Sequence, residues 1–107
     1  MKRLMVGIVA AAAALVLAAP ANADVDTDFT NELHLYGIYG QKDYNAWIAK
    51  ITCKRLNRGV DATAADSAKF VHDQLVKDTT TEQAWQFLGA GLRLYCPDKL
   101  PLLQAGQ

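Results

Sequence analysis

The sequence predicts an all-α fold, a small bundle of about four short helices closed by one disulfide, and three observations carry that prediction. Apolar residues recur at 3.6-residue spacing, and no stretch alternates apolar with polar over the length of a strand. Acids gather where the periodic segments begin (Asp28, Asp43, Asp61, Asp66, Glu82) and bases where they end (Lys54, Arg55, Arg58, Lys77, Arg93), the distribution that helix dipoles favour. Cys53 and Cys96 are the only cysteines among 107 residues, so a single pairing is available.

The first element is a targeting segment. Lys2 and Arg3 precede an apolar run from Leu4 to Ala19, after which Pro20 leads into Ala21-Asn22-Ala23. A charged start, an apolar middle and an A-x-A end make residues 1–23 a secretory signal peptide, with cleavage expected after Ala23. The apolar run has 16 residues, short of the roughly 20 that a bilayer span requires, and Pro20 breaks it. No Cys follows for a lipid anchor, and a single Arg in the charged region does not indicate twin-arginine export. The expected product is secreted, extracellular or held in the cell envelope, with no stable membrane insertion after cleavage.

Residues 24–107 then form a single helical domain with a short C-terminal tail. This part holds nine Lys and Arg against eleven Asp and Glu, and all nine aromatic residues. A net charge of −2 argues against a binder of the nucleic-acid phosphate backbone, which would need a basic face. In the oxidising environment outside the cytoplasm, a Cys53–Cys96 disulfide is expected to be structural, because a domain this small gains most from a cross-link. The spacing is nothing like the C-x-x-C of a redox pair.

The acidic lead Asp24-Val25-Asp26-Thr27-Asp28 offers N-caps for a first short helix with Phe29, Leu33 and Tyr36 on one face, ended by Gly37. Asp43 opens a second helix, to about Asn57, stopped by Gly59. Tyr44, Trp47, Ile48 and Ile51 line one side of it and Ala46, Ala49, Cys53 and Leu56 the other. Apolar residues on both sides predict a central helix packed between neighbours; the alternative is a helix packed on one side that offers Tyr44 and Trp47 to a partner. Asp61 to Asp66 open a third helix to about Lys77, with Ala64, Ala68, Val71 and Leu75 inward and Phe70 beside them. Thr79 with Glu82, or Thr80 with Gln83, gives a capping box for a fourth helix to about Tyr95, whose core face is Ala84, Phe87, Leu88, Gly91, Leu92 and Tyr95. Pro97 ends it. Leu100, Leu102 and Leu103 in the tail either fold back onto the bundle or fray.

The usual constellations of catalysis are weak here. Ser67, the only serine, sits in mid-helix, and a serine triad would need His34 or His72 to reach it together with an oxyanion hole. The two histidines lie 38 positions apart, without metal-site spacing, so no metal and no cofactor is expected. Asp61 and Asp66 as a glycosidase pair are better explained as caps of one helix start. Gly89-Ala90-Gly91 lies inside an amphipathic helix, where small residues permit close helix packing rather than phosphate binding.

The order of features resembles the mycobacterial secreted family catalogued as domain of unknown function 732. The matching residues are Asp28-Phe29 with Leu33 and Gly37-Ile38, then Cys53 with Leu56 and Gly59, then Thr80, Glu82, Gln83 and Ala84, and last Tyr95-Cys96-Pro97. The combination of Cys-x-x-Leu-x-x-Gly with a closing Tyr-Cys-Pro is the most specific piece. The resemblance implies a small exported helical protein, with one disulfide joining the second helix to the end of the last. It implies no reaction.

Two functions fit these features. One is a non-catalytic interaction module in the cell envelope or extracellular space, binding an envelope or host protein through exposed aromatic side chains. Tyr36, Tyr39, Tyr44, Trp47 and Trp85 are the candidate partner or ligand surface. The other is a small carrier for an apolar ligand or haem held between helices by the same aromatics and Phe87. Catalytic residues are not expected.

Overall fold

The computed structural model describes residues 21–106, with side chains described over 25–104. The charged and apolar parts of the predicted signal peptide lie outside the described residues. Helix α1 spans Ala21–Leu35, α2 Lys42–Asn57, α3 Ala64–Gln74 and α4 Thr81–Tyr95; a 3-10 turn at Pro97–Lys99 leads to a short α5 at Pro101–Gly106. No strand occurs among the described residues. α2 and α4 form a central pair that both α1 and α3 touch, so each outer helix closes the core from its own side.

α1 begins earlier than its acidic lead predicts. The run Asp24 to Asp28 lies inside the helix, and Asp26 serves tertiary contacts instead of a cap. It accepts a hydrogen bond from the Tyr95 hydroxyl at 2.5 Å, with Lys50 Nζ at 3.7 Å. The predicted stops at Gly37 and Gly59 are where α1 and α2 end. Both glycines take left-handed φ values, +78° and +74°. In α1 the Ile38 N–H donates to Leu33 O at 2.9 Å and the Gly37 N–H to His34 O at 3.0 Å, a Schellman arrangement that satisfies the last carbonyls. Ile38 and Leu33 are both buried in the core, supplying the apolar contact that accompanies the motif.

α2 meets α1, α3 and α4 with one stripe: Asn45, Ile48, Ala49, Thr52, Cys53 and Leu56 are buried, with Ala46 beside them. The expected enclosure by neighbours on both sides is therefore corrected. Trp47 stays 55 % exposed and Tyr44 41 %, because the other three helices all approach the same side of α2. The buried stripe admits two polar residues in place of the two large aromatics.

Thr63 caps α3 in a capping box with Asp66. Asp61, expected to help open this helix, is instead buried beneath it. α3 also stops at Gln74, short of the predicted Lys77, because two side chains bind the chain as it leaves the helix. Tyr44 Oη donates to Gln74 O at 2.8 Å, and His72 Nε2 donates to Thr79 O at 2.8 Å. Of the two candidate capping boxes at α4, the structure uses Thr80 with Gln83. Gln83 is placed for it by a further bond, from its Nε2 to Tyr36 O at 3.0 Å.

The core has two parts. Phe29, Leu33, Ile48, Val71 and Phe87 centre the first, where the Phe29 ring meets Phe87 edge-on at 5.1 Å between centroids and Tyr95 at 5.4 Å. The second surrounds the Cys53–Cys96 disulfide, whose Cα atoms are 6.0 Å apart. The tail folds back: α5 lies on α3, and Leu100, Leu102 and Leu103 pack on the disulfide cluster. Gly91 is a close-packing position, as its place in α4 predicts. A Cβ there would stand 3.4 Å from Ala49 Cβ and 3.9 Å from the Phe29 ring.

Candidate functional site

Two loops come together at the start of α2 and leave an open cleft of about 470 Å³ between them. The α1–α2 loop contributes Gly37 to Gly40, α2 contributes Tyr44 and Asn45, and the α3–α4 loop contributes Leu75, Val76, Asp78 and Thr79. That volume lies in the range of about 300–1,000 Å³ usual for ligand pockets. The Tyr44 bond to Gln74 O ties one wall to the other.

The rim is apolar. Tyr39 is 68 % exposed and Val76 75 %, and Trp47 stands beside Tyr44 with 6.1 Å between ring centroids. His34, also exposed, lies against the Tyr39 ring at 5.2 Å. The floor is polar. Asn45 is only 3 % exposed, yet no hydrogen bond within the described residues reaches its side-chain amide. Neither amide atom is sealed from solvent, so the group opens onto the cleft. Of the other two amide residues in the lining, Gln83 is spent on Tyr36 O and the Thr80 N–H, while Gln74 accepts the Tyr44 hydroxyl with its main-chain carbonyl. Asp78 is the one charged side chain of the lining, and no Lys or Arg contributes to it.

Of the five aromatic residues singled out by sequence, the structure brings Tyr39 and Tyr44 into the cleft and sets Trp47 beside it. Tyr36 and Trp85 lie elsewhere. Tyr36 is half-buried and its hydroxyl donates to Glu32 Oε2 at 2.8 Å; Trp85 packs on the disulfide cluster. Phe87 is wholly a core residue. Sequence reasoning missed Asn45 and Val76. For Asn45 a signal existed: it falls in register with Ile48, Ala49, Thr52 and Leu56 on the stripe that becomes buried.

The remaining polar clusters are structural in their geometry. Arg55 donates to both oxygens of Asp61 at 2.9 Å, and Ser67 Oγ donates to Asp61 Oδ2 at 3.0 Å. Asp61 is 4 % exposed and Ser67 fully buried, so the lone serine spends its hydroxyl on a carboxylate closed off from solvent. The hydrogen bonds that the Arg55 guanidinium donates to Asp61 hold it more firmly protonated than usual, and its face rests on the Phe70 ring at 4.2 Å. A second cluster joins Glu32, Arg93 and Tyr36. The Arg93 hydrogen bond lowers the Glu32 pKa, and the bond to Glu32 raises that of Tyr36. Burial, reinforced by Asp26, drives the Tyr95 hydroxyl well above its ordinary range. Among the described residues no three His, Cys, Asp or Glu converge as a metal-binding group would. The space between α2 and α4, lined by Ala49, Thr52, Phe87 and Gly91, is too small for a water molecule and leaves no room for an apolar ligand there.

Residues 24–98 match the family described as protein of unknown function, DUF732. The chain belongs to the DUF732 family. The matched span begins at the residue after the expected cleavage point and takes in α1 without its first turn, all of α2 to α4 and both cysteines, stopping before α5. This DUF732 chain is also similar to two uncharacterized proteins of Mycobacterium tuberculosis, from strains CDC 1551 / Oshkosh and ATCC 25618 / H37Rv. Each is 55 % identical over 93 residues, covering 86 % of this chain and 83 % of the relative. No solved structure matches. The family resemblance drawn from the sequence is thereby confirmed, and with it the all-α fold with a Cys53–Cys96 bridge that the structure displays.

Proposed function

We propose that this DUF732 protein is an exported, non-catalytic binding module that works in the cell envelope or the extracellular space and holds its partner at the cleft end of the bundle. One observation carries the reading: Tyr39, Tyr44 and Val76, three of the exposed large apolar side chains, line an open cleft, and exposed Trp47 stands against Tyr44. Scattered exposed apolar residues are ordinary, but a cluster framing a concavity is the anatomy of an interaction surface. Two further features support it. The residue types suited to chemistry, Ser67 and His72, are engaged in bonds that hold helices and loops in place. Export rests on the signal-peptide pattern of residues 1–23.

The test pairs localisation with capture. Intact mass of the protein recovered from the medium and envelope of its own host is expected to show a start at Asp24. Immobilised wild-type protein is then compared with Tyr39→Ala and Trp47→Ala, which remove exposed rings that lie outside the core. The variants are expected to keep the wild-type Tm and to lose most of the envelope or host protein retained by the wild type. Equal retention by wild type and both variants would overturn the reading.

A further inference from the structure

We propose that the cleft binds a neutral, extended peptide segment, with the Asn45 side-chain amide pairing with a main-chain peptide group of the ligand. This inference rests on the binding-module reading and names the ligand class for the same site.

A side-chain amide that its own protein leaves unpaired takes its hydrogen bonds from whatever stands beside it, water or ligand. Asn45 is nine-tenths buried and more, within the stripe of α2 that faces the core, and its amide has no protein partner among the described residues. Its remaining access is to the cleft. A Cβ on Gly40 would stand 3.8 Å from Asn45 Nδ2, so the absence of a side chain on the loop leaves the approach to the amide open.

The chemistry of the surroundings selects the ligand. An asparagine amide offers donors on its nitrogen and an acceptor on its oxygen, the complement of the C=O and N–H of a peptide unit. The Tyr39 and Gly40 N–H groups, in the adjoining loop, donate to no acceptor among the described residues and supply further main-chain donors. The lining carries no cation, which disfavours phosphate or carboxylate ligands even though α2 begins beside the cleft. The walls combine Ile38, Leu75, Val76 and the tyrosines with the polar Gln74, Asp78, Thr79 and Gln83. The aliphatic groups among them bury the apolar side chains of a peptide.

The experiment is a titration of the 15N-labelled protein, disulfide intact, with the capped tripeptide acetyl-Ser-Leu-Ser-amide, with methyl glucoside and inorganic phosphate as separate probes. The tripeptide is expected to give saturable shifts in the Asn45 side-chain NH2 pair and in the Tyr39 and Gly40 amides. Asn45→Leu, which fills the space without an amide, is expected to weaken it about tenfold. Should Asn45→Leu unfold, Asn45→Asp keeps the shape, loses the donor and is expected to weaken the tripeptide likewise. The inference is overturned if the tripeptide moves none of these signals at tens of millimolar, if the glucoside or phosphate moves them instead, or if folded Asn45 variants bind as the wild type does. The two readings separate cleanly. Lost capture by Trp47→Ala beside a silent tripeptide titration keeps the binding module and removes its peptide ligand; a positive titration beside unchanged capture keeps a peptide-binding cleft and removes the aromatic rim as the holder of an envelope or host partner.

Discussion

The Tyr44 hydroxyl donates to the Gln74 main-chain carbonyl at 2.8 Å and so ties the first turn of α2 to the last residue of α3. These residues stand 30 positions apart, and the bond links the two sides of the cleft. Tyr44→Phe keeps the ring and removes only this bond. The expected cost is about 0.5–1 kcal/mol, since the bond is partly open to water. The informative readout is hydrogen exchange, which should quicken over residues 75–79 and remain unchanged in α4.

The disulfide should contribute more than any other single feature. Cys53 and Cys96 are 43 residues apart, and closing a loop of that length stabilises by about 4 kcal/mol in the chain-entropy account. A small domain has only about 5–15 kcal/mol in all. Reduction, or Cys53→Ser with Cys96→Ser, is therefore expected to lower Tm steeply in a thermal melt. A melting curve unaltered by reductant would mean that the bridge does not constrain the chain.

Asp61 is the polar residue whose loss should hurt most. It receives two bonds from Arg55 and one from Ser67 in a place that is almost closed to solvent. Asp61→Ala leaves the buried Ser67 hydroxyl without its acceptor and is expected to cost about 2–3 kcal/mol, because uncompensated buried polar groups keep their full desolvation penalty. Ser67→Ala removes donor and need together and should cost about 1 kcal/mol or less. Urea denaturation of the two variants ranks them; an equal cost would place the energy in the serine.

Acid sensitivity should trace in part to Glu32. Its pKa is lowered by Arg93, from an ordinary value of 4.5. A carboxyl whose folded pKa is depressed adds stability that is present above the unfolded value and is lost as pH falls through the folded one. The window is therefore pH 4.5 downward. Arg93 is about half exposed, so the contribution is held to about 0.5–1 kcal/mol. Glu32→Gln is expected to cost about that much at neutral pH and little in acid, and so to flatten the decline of Tm below pH 4.5. For Tyr95 the sign reverses: its pKa is raised by burial, so its stabilisation persists through neutral pH and is lost only in strong alkali, and Tyr95→Phe should remove that alkaline component.

Much of the fold was legible because its signals are local. Caps act between residues three or four apart, as in Thr63 with Asp66 and Thr80 with Gln83, and glycine stops such as Gly37 act over a single turn. Where two local readings competed, a distant contact chose: the bond from Gln83 to Tyr36 O accompanies the Thr80 box, and the bonds at Gln74 and Thr79 accompany the early end of α3. The candidate site was legible only in part. Tyr39, Tyr44 and Trp47 were visible as aromatics, but nothing in their spacing separates them from Tyr36 and Trp85, which the folded chain uses for other contacts.

By itself, then, the sequence determined the four main helices, the pairing of Cys53 with Cys96, the family and the expectation of export, since each is written in residue type and short-range spacing. Only the tertiary structure decided that α2 buries Asn45 and exposes Trp47, that Asp61 lies under α3 instead of capping it, and that two loops far apart in the chain enclose a cleft. The physical reason is that helical periodicity defines the faces of a helix, whereas the direction from which its neighbours approach is set by the packing of the whole bundle.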